Sequence, residues 1–160
     1  MKKHPVSNLF LEDWRNFIAA QPYSSLFNWL QYIGVENKQG NIGVDEAILN
    51  FALNLEYLEA EYYVRGVTGN GLQSKDVGDK PGVITVPGNT KVDFSGSKED
   101  KLLGQYAAEI AADELHHVQF LRAALGKHAV DEPAIDLKNS FAALGNLIGV
   151  SNFNPFASPM

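Results

Sequence analysis

Two long stretches of helix-forming sequence constrain the fold of this chain most. The first follows Asp45, a good N-cap residue, and continues for about 20 residues without glycine or proline until Gly66. The second opens at Ser97, where the sequence Ser-Lys-Glu-Asp resembles a capping box, and runs to Gly126. Gly104 is a weak point near its start. Together they predict an all-α protein, a bundle built on two long helices.

Shorter elements are predicted on both sides of these helices. Residues 8–20 and the segment SLFNWLQYIG each place apolar side chains on one helical face, which predicts two short packing helices. One more short helix is predicted over residues 137–147. The predicted regions are residues 1–43 with the packing helices, residues 44–156 with the bundle, and a tail of residues 157–160.

The segment between the long helices, residues 66–97, holds seven of the fourteen glycines. Within it, the β-prone runs VITV and KVDF are separated by the turn-like sequence PGNT. These features predict a small β-hairpin inserted into the helical fold.

Composition excludes several classes of function. With 160 residues, 45% of them hydrophobic, the chain can bury one core. Its net charge of −6 and its lack of a basic stripe argue against nucleic acid as a partner. No segment approaches the ~20 apolar residues that span a bilayer, and no export signal follows Met1. We therefore expect a soluble protein without membrane insertion, cytoplasmic or, if a signal was removed, exported.

Helical wheels assign faces to the two long helices. The first helix carries one polar stripe, expected to face solvent: Glu46, Asn50, Asn54, Tyr57, Glu61 and Arg65. The opposite side is predicted to be buried and holds Ile48, Ala52, Leu55, Glu59 and Tyr63, with Glu56 slightly to one side. In the second helix, steps of four and three residues predict a buried seam: Leu103, Ala107, Ile110, Glu114, His117, Leu121 and Ala124.

Carboxylates on buried faces need compensation, because an unpaired one costs several kcal/mol in a fold that is stable by only about 5–15 kcal/mol. A bound cation offsets their charge. Glu114 and His117 project from one helix face, and the chain has no cysteine, so its ligands are oxygen and nitrogen atoms that suit iron, manganese or zinc. The predicted metal ligands are Glu56, Glu59, Glu114 and His117, with Tyr63 placed to hydrogen-bond a ligand.

A structural network is the alternative interpretation of these residues. At this composition, a Glu-x-x-His match arises by chance in about one chain in four, so the spacing alone is weak evidence. In this alternative, the buried carboxylates hydrogen-bond to His117 and Tyr63 without a metal. His116 lies on the polar side of its helix and His128 beyond the helix end, where solvated or capping roles are expected.

The segments ALNLEYLEAEYY and AADELHHVQFLRAALG resemble the ferritin-like superfamily, in which a glutamate of the first helix and a Glu-x-x-His of the second supply half of a di-iron site. Glu56 with Tyr63, and Glu114 with His117, match that pattern. DEAILNFALNLEYLEAEYY, the glycine-rich insertion, DELHHVQFLRAALG and EPAIDLKNSFAAL occur in the order seen in desiccation-related ferritin-like proteins. This closer resemblance covers residues 44–156.

The resemblance implies a four-helix bundle around a di-metal centre, in which a second helix pair brings another Glu and another Glu-x-x-His. After His117, however, the only acidic residues are Asp131, Glu132 and Asp136, and no Glu-x-x-His recurs. The chain is therefore similar to the N-terminal half of the usual domain. A truncated fragment, a half-domain completed by a two-fold dimer, and a bundle that has lost its metal all fit this pattern.

Two functions follow from the resemblance. The first is a di-iron or manganese carboxylate centre in a homodimer, with ferroxidase-like oxidation of Fe(II) and a role in oxidative or desiccation stress. The second is a non-enzymatic structural or stress-interaction module without a functional metal site.

Overall fold

The described residues of this computed structural model, 44–159, form four helices and two short strands. In chain order these are α1 (Val44–Thr68), α2 (Ser74–Val77), β1 (Ile84–Thr85), α3 (Lys98–Leu125), a 3₁₀ turn (Gly126–His128), β2 (Ile135–Asp136) and α4 (Asn139–Leu147). Helices α1 and α3 run antiparallel, since Asn50 contacts His128 and Glu56 contacts His117. The predicted helical fold class is confirmed. The two short helices predicted before residue 35 lie outside the described residues.

The ends of the long helices follow local capping chemistry. Ser97 Oγ accepts a hydrogen bond from Asp100 N at 3.0 Å, and Asp100 Oδ2 accepts one from Ser97 N at 2.7 Å, so the predicted capping box of α3 is confirmed. Helix α1 already begins at Val44 and continues through Gly66. Its last residue is Thr68, and Gly69 follows with a φ of 84°. This left-handed conformation suits glycine, because glycine has no β-carbon. The prediction that Asp45 caps α1 and that Gly66 ends it is therefore wrong.

The predicted β-hairpin is also wrong. Strand β1, from the VITV run, pairs in parallel with β2, which lies beyond α3, and Ile84 is opposite Ile135. The KVDF run instead packs against the end of α1, where Val92 N donates to Gly66 O at 2.8 Å. Thr90 Oγ1 likewise donates to Gly69 O at 3.2 Å. These bonds to α1 replace the hairpin that PGNT predicted.

Backbone hydrogen bonds attach the insertion to the segment that follows α3. Glu132 N donates to Val77 O at 2.8 Å, and Gly82 N donates to Glu132 O at 2.7 Å. Asp131 adds its carboxylate, which accepts from the backbone of Asp79 and Lys80. The two segments are distant in sequence, but together they close one side of the helix pair.

The core lies between α1, α3 and this attached layer. Its buried residues are Leu53, Tyr57, Ala60, Val92, Val118, Leu121, Leu125, Ile135, Leu137 and Phe156. On α3 the buried positions are Ala111, Val118, Leu121 and Leu125. The predicted seam of α3 is therefore right at Leu121 but wrong at Leu103, His117 and Ala124, which are exposed. No helix within residues 44–159 is long and apolar enough to cross a membrane.

The predicted solvent face of α1 is wrong, because much of its polar stripe is buried. We call the members that are at most 4% exposed the buried polar stripe: Asn50, Asn54, Tyr57 and Glu61. On the side predicted to be buried, Ile48 is 59% and Leu55 is 38% exposed.

Hydrogen bonds to the backbone of a loop explain why this polar face of α1 is buried. Asn50 Nδ2 donates to His128 O and its Oδ1 accepts from Val130 N, both at 2.9 Å. Tyr57 OH donates to Val130 O at 3.1 Å and accepts from Arg122. Backbone groups that folding removes from water need partners, and Asn50 and Tyr57 supply them to the partly buried chain that leaves α3. A helical wheel predicts which face is buried from side-chain polarity alone. It does not include hydrogen bonds to loops that are distant in sequence.

Glu132 is the most perturbed acid in this region. It is 4% exposed, and among the described residues its Oε1 has no hydrogen-bond partner. Burial, and after it the negative charge of Glu61, raise the pKa of Glu132 to about 8 against the opposing positive charge of Arg65. The folded protein therefore holds Glu132 in its protonated form at neutral pH.

We expect Asn50→Ala to lower the free energy of unfolding by roughly 1–3 kcal/mol, because two partly buried backbone groups lose their partner. Urea unfolding followed by circular dichroism measures the change. Asn146→Ala, at an exposed position of α4, is the matched control and is expected to change stability by less than about 0.5 kcal/mol. Equal unfolding midpoints for the two variants would contradict this account of the buried polar stripe.

Glu132→Gln is expected to weaken the pH dependence of stability. Between the ordinary pKa of 4.5 and about 8, the folded state keeps a proton on Glu132 that the unfolded state has lost. This contribution to stability is thus complete below pH 4.5 and is lost as the pH rises through 8. Urea unfolding at pH 5 and pH 9 is the measurement. Exposed Glu109→Gln should retain the wild-type pH dependence, and the same behaviour in Glu132→Gln would refute the assignment.

Candidate metal centre

Packing between α1 and α3 brings three predicted ligands together. Tyr57 and Val118, which follow Glu56 and His117 in sequence, are fully buried between the helices. They fix the rotation of each helix and leave Glu56 and His117 at the edge of the interface. Glu114 lies three residues before His117, and therefore on the same side of α3.

The three side chains meet at one atom. His117 Nδ1 lies 3.0 Å from Glu56 Oε2 and 3.0 Å from Glu114 Oε2. One ligand atom from each residue lies within 4.8 Å of the others, and no other such group of acids and histidines occurs within residues 44–159. We call Glu56, Glu114 and His117 the trio. The His117 side chain is 55% exposed, so one side of the trio is open.

The charges in the trio are mutually dependent. Burial raises the pKa of Glu56, and its hydrogen bond with the carboxyl of Glu114 raises it further. The pKa of His117 is also raised, above all by the hydrogen bond to Glu114. In both cases the surroundings favour the protonated form, and a proton offsets part of the negative charge of the two carboxylates. A cation has the same effect and displaces those protons when it binds.

The trio has the chemistry and the spacing of a metal site. Two atoms bound at about 2.1 Å to an octahedral ion, at right angles to each other, lie about 3.0 Å apart. This is the distance from His117 Nδ1 to each carboxylate. Carboxylate and imidazole ligands suit iron, manganese and zinc. The residues present therefore fit a hard or intermediate divalent cation.

Comparison with protein families supplies the relation to other proteins. The model of a ferritin-like domain matches residues 44–159. The chain belongs to the ferritin-like domain family. Searches of curated proteins and of solved structures gave no match. The family match supports the predicted superfamily, whereas the desiccation-related subtype stays a prediction.

Two further predicted residues of this ferritin-like domain lie outside the trio. Glu59 is exposed on α1, and its pKa is raised by burial and then by the charge of Glu114, which places it near the trio. Tyr63 is half-buried and packs edge-to-face on Tyr62, with ring centroids 5.1 Å apart. The structure therefore does not bring Glu59 into the group of three ligand atoms, and Tyr63 lines a neighbouring pocket.

The wheels missed an exposed apolar surface beside the trio. Phe51 and Leu55 on α1 are 40% and 38% exposed, and Phe120, three residues after His117 on α3, is 71% exposed. We call these three residues the apolar rim. A helical wheel predicts that a face is apolar but not what covers that face, so the exposure of these residues had no signal in the wheels. The open trio lies beside a surface fit for protein contact.

Proposed function

We propose that this ferritin-like domain binds iron or manganese through Glu56, Glu114 and His117. The observation that carries the proposal is the spacing around His117 Nδ1, which equals that of adjacent ligands on one ion. Glu59 is proposed as an additional or bridging ligand, because its pKa responds to Glu114. Tyr63 is proposed to orient a molecule bound close by. Bound iron would supply redox chemistry, with Fe(II) oxidation as the proposed reaction and oxidative or desiccation stress as its setting.

The side chains of this domain would perform three tasks around the ion. Glu56 and Glu114 offset its positive charge, and His117 supplies a neutral nitrogen after losing its proton. Buried Tyr57 and Val118 hold the two helices in register, so the ligands need little rearrangement. Val118 and Ala111 also exclude water on the inner side of the site.

A second copy of the chain is proposed to complete the centre. Three ligand atoms leave positions of an octahedral ion free, and the trio is open on the side of the exposed His117. The apolar rim provides a surface that a two-fold partner can bury. Such a homodimer would bring two trios together and would form a di-metal centre from two half-bundles.

A non-enzymatic structural module is the second candidate. It is favoured by one observation: His117 already hydrogen-bonds to both carboxylates, so the trio is internally satisfied. In that case the domain acts as a helical stress or interaction module, and metal content distinguishes the two functions.

We expect about one iron or manganese per chain in protein purified without affinity-tag metals from cells supplied with both. Glu114→Ala and His117→Ala are expected to lower Mn(II) affinity at least about tenfold, because each removes a ligand. Mass spectrometry of the metals and calorimetric titration of the metal-free protein give the two quantities.

Matched controls for this experiment lie on the same helix. Glu109→Ala and His116→Ala remove the same residue types at exposed positions outside the trio. Both are expected to bind metal as the wild type does. Equal metal in the wild type and in the two trio variants would remove the metal proposal and favour the structural module.

Association is expected to strengthen with metal, because a cation that binds only the dimer stabilises it by mass action. Sedimentation of the full chain with and without Mn(II) measures this effect. Glu114→Ala should abolish the response to metal, and Phe120→Ser should weaken the dimer in both conditions. A metal-replete protein that sediments only as a monomer would contradict completion by a second copy.

A further inference from the structure

An aromatic pocket lies next to the trio between the same two helices. Its volume is about 230 Å³, and its walls come from α1, α3, the insertion and the C-terminal segment. The rings that line it are Tyr62, Tyr63, Phe94, Tyr106 and Phe156. No charged side chain of residues 44–159 lines the pocket. The site therefore accepts uncharged, ring-shaped molecules better than ions.

We propose that this pocket binds a neutral aromatic compound of one ring or two fused rings. An apolar cavity of about 150 Å³ holds benzene, so 230 Å³ gives room for a second ring. Aromatic walls favour such a ligand, because offset and edge-to-face ring contacts add to the burial of apolar surface. Tyr106 lines the pocket and is 55% exposed, so the pocket is open to solvent on its side.

Gly66 provides independent support. It lies inside α1, where glycine costs about 1 kcal/mol relative to alanine. Its φ is not in the left-handed region, and a β-carbon built on it would meet Val92 and Phe156 at an ordinary 3.9 Å. Neither backbone geometry nor packing requires a glycine here. The missing side chain instead leaves space in the pocket that Gly66 lines.

The position of the pocket connects it with the metal centre. Ile110 lines the pocket and lies one helical turn, about 6 Å, before Glu114. Tyr63 lies about 10 Å along α1 from Glu56. A bound ring would thus lie one to two turns from the trio. Binding does not rest on the proposed metal function, since the pocket walls contain none of the trio residues.

The test compares the affinities of the full chain for two probes that share one ring system and differ in charge. We expect 2-naphthol, neutral at pH 7, to bind at least about tenfold more tightly than anionic 2-naphthoate, because a charge loses its hydration in an apolar pocket. Calorimetry and saturation-transfer NMR measure both affinities, with and without Mn(II). No binding of 2-naphthol, or equal affinities for the two probes, would overturn the proposal.

A substitution series locates the bound probe. Gly66→Leu should fill the pocket and lower 2-naphthol affinity at least about tenfold, whereas Gly66→Ala should lower it less than about threefold and raise the thermal midpoint. Ala123→Leu adds three carbon atoms, one fewer than Gly66→Leu, at an exposed position of α3 and should leave the affinity unchanged. Circular dichroism checks that each variant folds. Undiminished binding in folded Gly66→Leu, or an equal loss in Ala123→Leu, would place the probe elsewhere and overturn the proposal.

Discussion

The hydrogen bonds from Asn50 and Tyr57 to the backbone of residues 128–130 set the rotation of α1 against α3. A rotation of α1 that moved these side chains away would leave partly buried carbonyl and amide groups without their partners, at a cost of roughly 1 kcal/mol each. With that rotation fixed, Glu56 points toward α3 and Ile48 points away from it. The geometry of the trio thus depends on a loop that touches none of its three residues.

The features that were predicted correctly from the sequence depend on residues close together in the chain. The capping box at Ser97 and the turn at Gly126 require only neighbouring residues, and the spacing of Glu114 and His117 is a property of any α-helix. The faces of α1 were predicted wrongly, because their burial depends on hydrogen bonds between residues about 80 positions apart. The hairpin prediction failed for the same reason, since β1 pairs with a strand beyond α3.

The trio was found although the predicted faces were wrong. Glu56 was placed slightly to one side of the apolar face, and a residue in that position lies at an edge whichever face is buried. His117 was predicted inside the seam and instead borders solvent. The wrong prediction for His117 matters chemically. A trio inside the helix interface would be shielded from water, whereas a trio at its edge needs a further layer of protein to exclude water. Neither α1 nor α3 provides that layer.

In the proposed dimer, metal binding and association would be linked. The apolar rim favours contact with another surface, but two trios brought together without cations would place four carboxylates near each other, and their repulsion opposes the contact. Cations bound between the carboxylates would replace this repulsion by attraction, so the electrostatic contribution to association would become favourable. By linkage, whatever metal binding adds to association, association adds equally to metal affinity. In the proposed dimer, the site would in this way be conditional on both the concentration of the protein and the supply of metal.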